Sequence, residues 1–210
     1  MVAKRRLPQP LEPEEMRALL AVPNRKAPTG LRNRTMVALM AESGLRVSEI
    51  VSLRMRSVSA KRDRLRIING KSGDRVLPLT EAGTARLLAW LEVRQSIAPD
   101  SEFVFPQIRS SAYRDPHHKA EPKLRGSQLS TAYVRALTAR LGRKAGVERR
   151  TNPHVFRHSA ATAMVEANYT LPEVQAMLGH RNLATTSVYL HVRNGRLAEK
   201  VRHHVPDWED

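Results

Sequence analysis

The feature that most restricts the fold of this chain is its punctuation. Stretches of helix length with apolar residues three or four apart recur along the chain, and the first two are stopped by a proline and a glycine. Glu12-Pro13-Glu14-Glu15 opens the first, with proline early in the helix and acids facing the positive end of the dipole. Met16, Leu19, Leu20 and Val22 give it an apolar face, and Pro23 ends it. After a loop over 24–30, a second helix starts near Leu31, turns Met36, Val37, Leu39 and Met40 inward, and stops at Gly44. A third and shorter one begins at Gly44 and runs through Leu53. Thr80 to Ile97 is predicted helical with Leu87, Leu88, Trp90 and Leu91 in the core. Ser127 to Lys144 follows the same rule, and its Tyr133, Val134, Leu137 and Leu141 are core rather than a cofactor site. Asn152-Pro153 set the start of a further helix, Thr170 caps the helix Pro172–Leu178, and Leu183 to Val192 forms another. The pattern is interrupted by a hairpin. Leu65–Asn69 and Arg75–Leu79 read as strands around the loop Gly70-Lys71-Ser72-Gly73-Asp74, and Phe103–Phe105 is a short buried piece.

Charge narrows the function. Lys and Arg number 36 against 20 acidic residues, a formal net charge of +16, so a polyanion is the natural partner. The basic residues are spread along the chain, which favours a folded basic surface over a disordered basic arm. Aromatics make up only 4% of the residues, which argues against a single-strand binder built on stacking platforms. The absence of cysteine excludes disulfides, thiolate zinc sites and cysteine nucleophiles. No stretch is long and apolar enough to span a membrane and no signal peptide opens the chain, so a cytoplasmic protein facing nucleic acid is expected.

The residues that carry chemistry concentrate between Asn152 and Val192. His154 and Arg157 are three apart and share one helix face. Gly179-His180 follows the next helix, and Tyr189 lies nine positions beyond His180. Two imidazoles, a guanidinium and a phenol suit phosphoryl transfer: donors for phosphate oxygens, a group that moves a proton, and a hydroxyl that attacks. No carboxylate cluster accompanies them to hold a metal, and His117-His118 in the polar loop 107–126 have no third ligand in a regular frame. Arg46 adjoins a helix start one residue after Leu45 and two after Gly44, where backbone and ligand can approach closely. Glu49, one turn later, either braces that guanidinium or serves the helix start. A lone hairpin lysine such as Lys71 is ordinarily a solvated edge charge.

Together these residues resemble the catalytic domain of the tyrosine recombinases, the phage integrase and Xer-like family. Gly44-Leu45-Arg46-Val47-Ser48-Glu49 is similar to the family's first arginine motif, and Lys71 sits where the family carries its hairpin lysine. His154-Val155-Phe156-Arg157-His158 resembles the H-x-x-R box, Leu178-Gly179-His180 the L-G-H box, and Tyr189-Leu190-His191-Val192 the nucleophile segment. Each is weak alone, whereas all of them in this order are specific. The resemblance runs from about Leu11 to the C-terminus. It implies a mainly α fold with a small antiparallel β-sheet, the tyrosine recombinase catalytic-domain fold. The expected organisation is a basic arm or linker over 1–10, a catalytic domain over 11–194, and a tail over 195–210. In that tail Leu197, Val201, Val205 and Trp208 form one apolar stripe that must dock, in cis or on a neighbouring subunit. The family's N-terminal core-binding domain is expected to be absent.

The resemblance also implies a reaction. Tyr189 attacks a phosphodiester of double-stranded DNA, releases a 5′ hydroxyl and leaves a 3′-phosphotyrosine. Phenol has a pKa of ~10, so forming its anion at pH 7 costs about 4 kcal/mol, and His154 is the candidate base that offsets this. Arg46 and Arg157 hold the non-bridging oxygens, His180 adds a donor, and Lys71 protonates the leaving oxygen. No cofactor, metal or ATP is required, and self-association into a synaptic tetramer on DNA is expected. Two other readings remain. A type IB topoisomerase shares similar catalysis, and a non-catalytic regulator would use Leu171 to Val192 as a helix-turn-helix.

Overall fold

Most of the helices begin where the sequence supplies a cap or a proline. The computed structural model describes residues 9–68, 73–108 and 125–179. Among these it places α1 at Pro13–Ala21, α2 at Pro28–Ser43, α3 at Val47–Ser52, β1 at Arg64–Ile67, β2 at Arg75–Pro78, α4 at Glu81–Ile97, α5 at Thr131–Lys144, α6 at Pro153–Glu166 and α7 at Leu171–Leu178. The strands pair antiparallel, with Leu65 opposite Leu77 and Ile67 opposite Arg75. The fold is therefore mainly helical with a small, two-stranded antiparallel sheet among the described residues. No helix among them is long and apolar enough to cross a membrane.

Three helix starts lie three or more residues from the expected ones. The second helix starts at Pro28 rather than near Leu31, because proline fits the first helical turn, where its missing N–H has no partner to lose. The third starts at Val47 rather than Gly44, because Gly44 adopts a left-handed conformation (φ 65°, ψ 25°) to close α2 and Arg46 is extended. The helix expected from Ser127 begins at Thr131, because the Ser130 hydroxyl caps it by accepting from the Tyr133 N–H at 3.1 Å.

α2 is the central element. Its Met36, Val37, Leu39 and Met40 are all fully buried, and it packs against both α4 and α6. On α4, Leu87 and Trp90 point inward, but Leu88 is 46% exposed. The inward positions of α4 follow a four-three-four spacing through Gly83, Leu87, Trp90 and Arg94, which leaves Leu88 outside. Trp90 donates its indole N–H to the Val104 carbonyl at 2.7 Å and stacks on Phe105, so the short buried piece after α4 is held by side chain as well as by burial.

α6 and α7 form a smaller satellite core of Ala161, Met164, Val165, Val174 and Leu178. Asn152 caps α6 by accepting from the N–H groups of His154 and Val155. Thr170 and Glu173 form a reciprocal capping box at the start of α7. Gly179 ends α7 in the left-handed region. The chain before α1 is tied to this unit: the Leu11 N–H donates to the Ser159 hydroxyl at 2.8 Å, and Arg149 donates to the Pro10 carbonyl at 2.6 Å.

Candidate active site

The site forms where the C-terminal ends of α2 and α7 meet. Both ends are glycines, and a Cβ on Gly44 would lie 2.3 Å from the Leu178 Cδ2, so the two helix ends touch only because Gly44 has no side chain. Helix C-termini carry unpaired carbonyls and the negative end of the dipole, and cations settle there. Three arginines take up that place. Arg157, on α6, donates through Nη1 to the Gly44 carbonyl at 2.7 Å and through Nη2 to the Leu178 carbonyl at 2.8 Å. Arg46, just before α3, donates through Nη2 to the Gly179 carbonyl at 2.9 Å. Arg75, on β2, donates through Nε to the Met177 carbonyl at 3.1 Å. The last three carbonyls of this turn, those of residues 177, 178 and 179, each go to a different arginine.

Glu49 lies between two of these cations. Its Oε1 accepts from Arg46 Nη1 at 3.0 Å and from Arg75 Nη1 at 2.9 Å. Its Oε2 accepts from the Arg46 backbone N–H at 2.9 Å and from Arg75 Nη2 at 2.9 Å. The two roles considered for Glu49 are thus both filled: it serves the start of α3 and braces the Arg46 guanidinium. Burial pushes the Glu49 carboxyl up. The hydrogen bonds and charge of Arg75, with the hydrogen bonds of Arg46, outweigh burial and hold the carboxyl below its ordinary value. Removing one partner of such a buried ion pair costs about 3–5 kcal/mol.

The structure therefore brings together Arg46, Glu49 and Arg157 from two motifs 111 positions apart in the numbering. His154 stands exposed on the first turn of α6, one turn before half-buried Arg157. Lys71, His180 and Tyr189 lie outside the described residues, as do His117-His118, the helix expected over Leu183 to Val192, and the apolar tail stripe. Arg75 is the site residue that sequence reasoning passed over. Its signal was the strand period, which puts Arg75 on the same face as fully buried Leu77. An inward arginine needs an anionic or carbonyl partner. Beside Glu49 a recess of about 320 Å³ is lined by Arg54, Arg56 and Arg66 together with Ser52 and Ile67.

A helical unit that clusters arginines around a helix end, with a histidine one turn away, defines a candidate phosphate-handling protein. The family model described as "Phage integrase family" matches residues 9–196, and the chain belongs to that family. It is 35% identical over 196 residues to the tyrosine recombinase XerC of Vibrio parahaemolyticus, an alignment covering 93% of this chain and 58% of the relative. It is 32% identical over 195 residues to the XerC of Haemophilus influenzae, covering 93% of this chain and 60% of the relative. The chain thus spans less than two thirds of the length of these relatives. Among solved structures, that of XerA recombinase superposes with a TM-score of 0.74 at 24% identity, over 98% of this chain and 66% of that one, a likeness of fold. XerH site-specific recombinase, in a post-cleavage complex with palindromic difH substrate, superposes with a TM-score of 0.72 at 26% identity, over 97% of this chain and 54% of that one.

Proposed function

We propose that this chain is the catalytic part of a site-specific recombinase that breaks and rejoins strands of double-stranded DNA. The observation that carries the reading is the convergence of Arg46 and Arg157, from separate motifs, on one helix junction. Membership of the phage integrase family and the similarity to tyrosine recombinases support it. A dianionic phosphorane-like transition state places negative charge on the non-bridging oxygens, and guanidiniums held by carbonyls and a carboxylate meet that charge without having to reorganise.

In the proposed reaction the Tyr189 hydroxyl attacks phosphorus. The new bond is tyrosine oxygen to phosphorus, and the bond that breaks is phosphorus to the 5′ oxygen. The phenolic proton passes to His154, and Lys71 gives a proton to the departing 5′ oxygen. His180 adds a donor to a non-bridging oxygen. Rejoining is the same displacement reversed, with a 5′ hydroxyl attacking the 3′-phosphotyrosine. The number of phosphoester bonds is conserved, so the cycle consumes no nucleotide. Within this reading, residues 11–194 form the catalytic domain, 1–10 a basic arm, and 195–210 a tail that docks in cis or on a neighbouring subunit of a synaptic tetramer.

The test uses Tyr189→Phe, which removes only the hydroxyl. On a nicked duplex that traps the intermediate, the parent forms a covalent adduct on a denaturing gel, whereas the variant binds the duplex and forms none. An adduct with the phenylalanine variant would exclude Tyr189 as nucleophile. Absence of an adduct with the parent would leave a DNA-binding protein without cleavage.

A further inference from the structure

Arg75 is held through every nitrogen of its guanidinium. It sits on β2 facing inward beside Leu77, and its side chain is 10% exposed. All of its nitrogens are engaged, Nη1 and Nη2 on the two oxygens of Glu49 and Nε on the Met177 carbonyl. One planar fork thus joins three parts of the chain: β2, the first turn of α3 and the last turn of α7. Each Glu49 oxygen that takes a bond from Arg75 also takes one from Arg46. The carboxylate that orients Arg46 is therefore itself oriented by Arg75. On the other flank, the Met177 carbonyl held by Arg75 adjoins the Leu178 carbonyl held by Arg157 and precedes the Gly179 carbonyl held by Arg46. The packing is close here too, since a Cβ on Gly179 would lie 2.8 Å from Arg75 Nη1.

We propose that Arg75 is a positioning residue for strand cleavage: by clamping Glu49 and the end of α7 to one guanidinium, it sets the relative placement of Arg46 and Arg157 without contacting the phosphate. The proposal rests on the reading of Arg46 and Arg157 as phosphate holders. Its physical basis is that a reacting centre tolerates little displacement of its charge stabilisers, and that their supporting partners fix them. The role needs arginine specifically. A lysine ammonium is a point charge on a flexible stem and cannot make two parallel bonds to a carboxylate and a third to a carbonyl.

The experiment compares the parent chain with Arg75→Lys and Arg75→Ala. Three quantities are measured: affinity for a duplex at fixed salt, the single-turnover rate of adduct formation on a nicked duplex at saturation, and amide hydrogen exchange over residues 176–179. Both variants should bind with little change in affinity, form adduct about 100-fold more slowly, and exchange faster at the end of α7 while α4 is unaltered. The lysine variant keeps a positive charge opposite Glu49, so it stays informative if the alanine variant does not fold. A parental rate for Arg75→Lys would reduce the residue to a charge and overturn the proposal. So would an affinity that falls in step with the rate, which would make Arg75 a DNA contact. Unchanged exchange at the end of α7 would overturn it as well. A parent that forms no adduct defeats the recombinase reading instead, and the exchange data then decide by themselves whether Arg75 holds α7.

Discussion

Replacing Gly44 by alanine tests the junction on which the site is built. Two separable costs are expected. Gly44 has φ 65°, a left-handed conformation that costs an L-residue roughly 1–2 kcal/mol. The added Cβ would also stand 2.3 Å from the Leu178 Cδ2 and 3.5 Å from the Ala160 Cβ. Leu178 and Ala160 are buried, so neither can swing into solvent, and overpacking of this kind costs about 1–3 kcal/mol. The sum is roughly 2–5 kcal/mol. Gly146 provides the control, because it has φ 73° but nothing within 4 Å of its would-be Cβ. Gly146→Ala should therefore show only the backbone cost of about 1–2 kcal/mol. Urea unfolding of the three proteins measures both, provided that the denaturant slope is unchanged. A Gly44→Ala variant no less stable than Gly146→Ala would mean that α2 and α7 do not meet at this point.

Two further outcomes follow from the site. The Glu49 carboxyl is held below its ordinary value, so its contribution to stability is fully present above the ordinary value of 4.5 and is lost as pH falls through the lower folded value. The stability difference between the parent and Glu49→Gln should accordingly shrink on acidification below that range, and urea unfolding at several pH values showing a constant gap would contradict it. For Lys71, single-turnover cleavage of DNA with sulfur at the bridging 5′ position separates proton donation from charge. A thiolate leaves unaided, its thiol having a pKa of ~8.5, so Lys71→Ala should regain much of its lost rate on that substrate and Arg157→Ala should not. An equal defect of Lys71→Ala on oxygen and sulfur would leave it a positioning charge.

The parts of the architecture governed by local rules were readable in the chain. Gly44 stops α2 because a left-handed residue is needed there, and Thr170 caps α7, as its place before Leu171-Pro172-Glu173 indicates. The apolar faces of α2 and α5 followed from spacing, and the pairing of Arg46 with Glu49 followed from their separation by one turn. What escaped were interactions between distant segments. Arg75 meets Glu49 across 26 positions and Met177 across 102, and no local period carries that information. Charge also concealed burial. Arg94 occupies an inward position of α4 that a hydrophobic pattern assigns to an apolar residue, while Leu88 beside the stripe stays outside.

Arg32 and Arg94 bear on how the formal charge of +16 is to be understood. They are 2% and 1% exposed. Arg32 Nη1 donates to the Pro106 carbonyl at 2.8 Å and its Nη2 to the Tyr133 hydroxyl at 2.6 Å, while Arg94 Nε donates to the Phe103 carbonyl at 2.9 Å. Such cations still add to the potential that draws a polyanion from a distance. They cannot reach a phosphate, however, and so displace none of the condensed ions around a nucleic acid. Attraction at long range and salt sensitivity at contact thus draw on different subsets of the same arginines. The salt exponent of binding counts only those whose heads reach solvent.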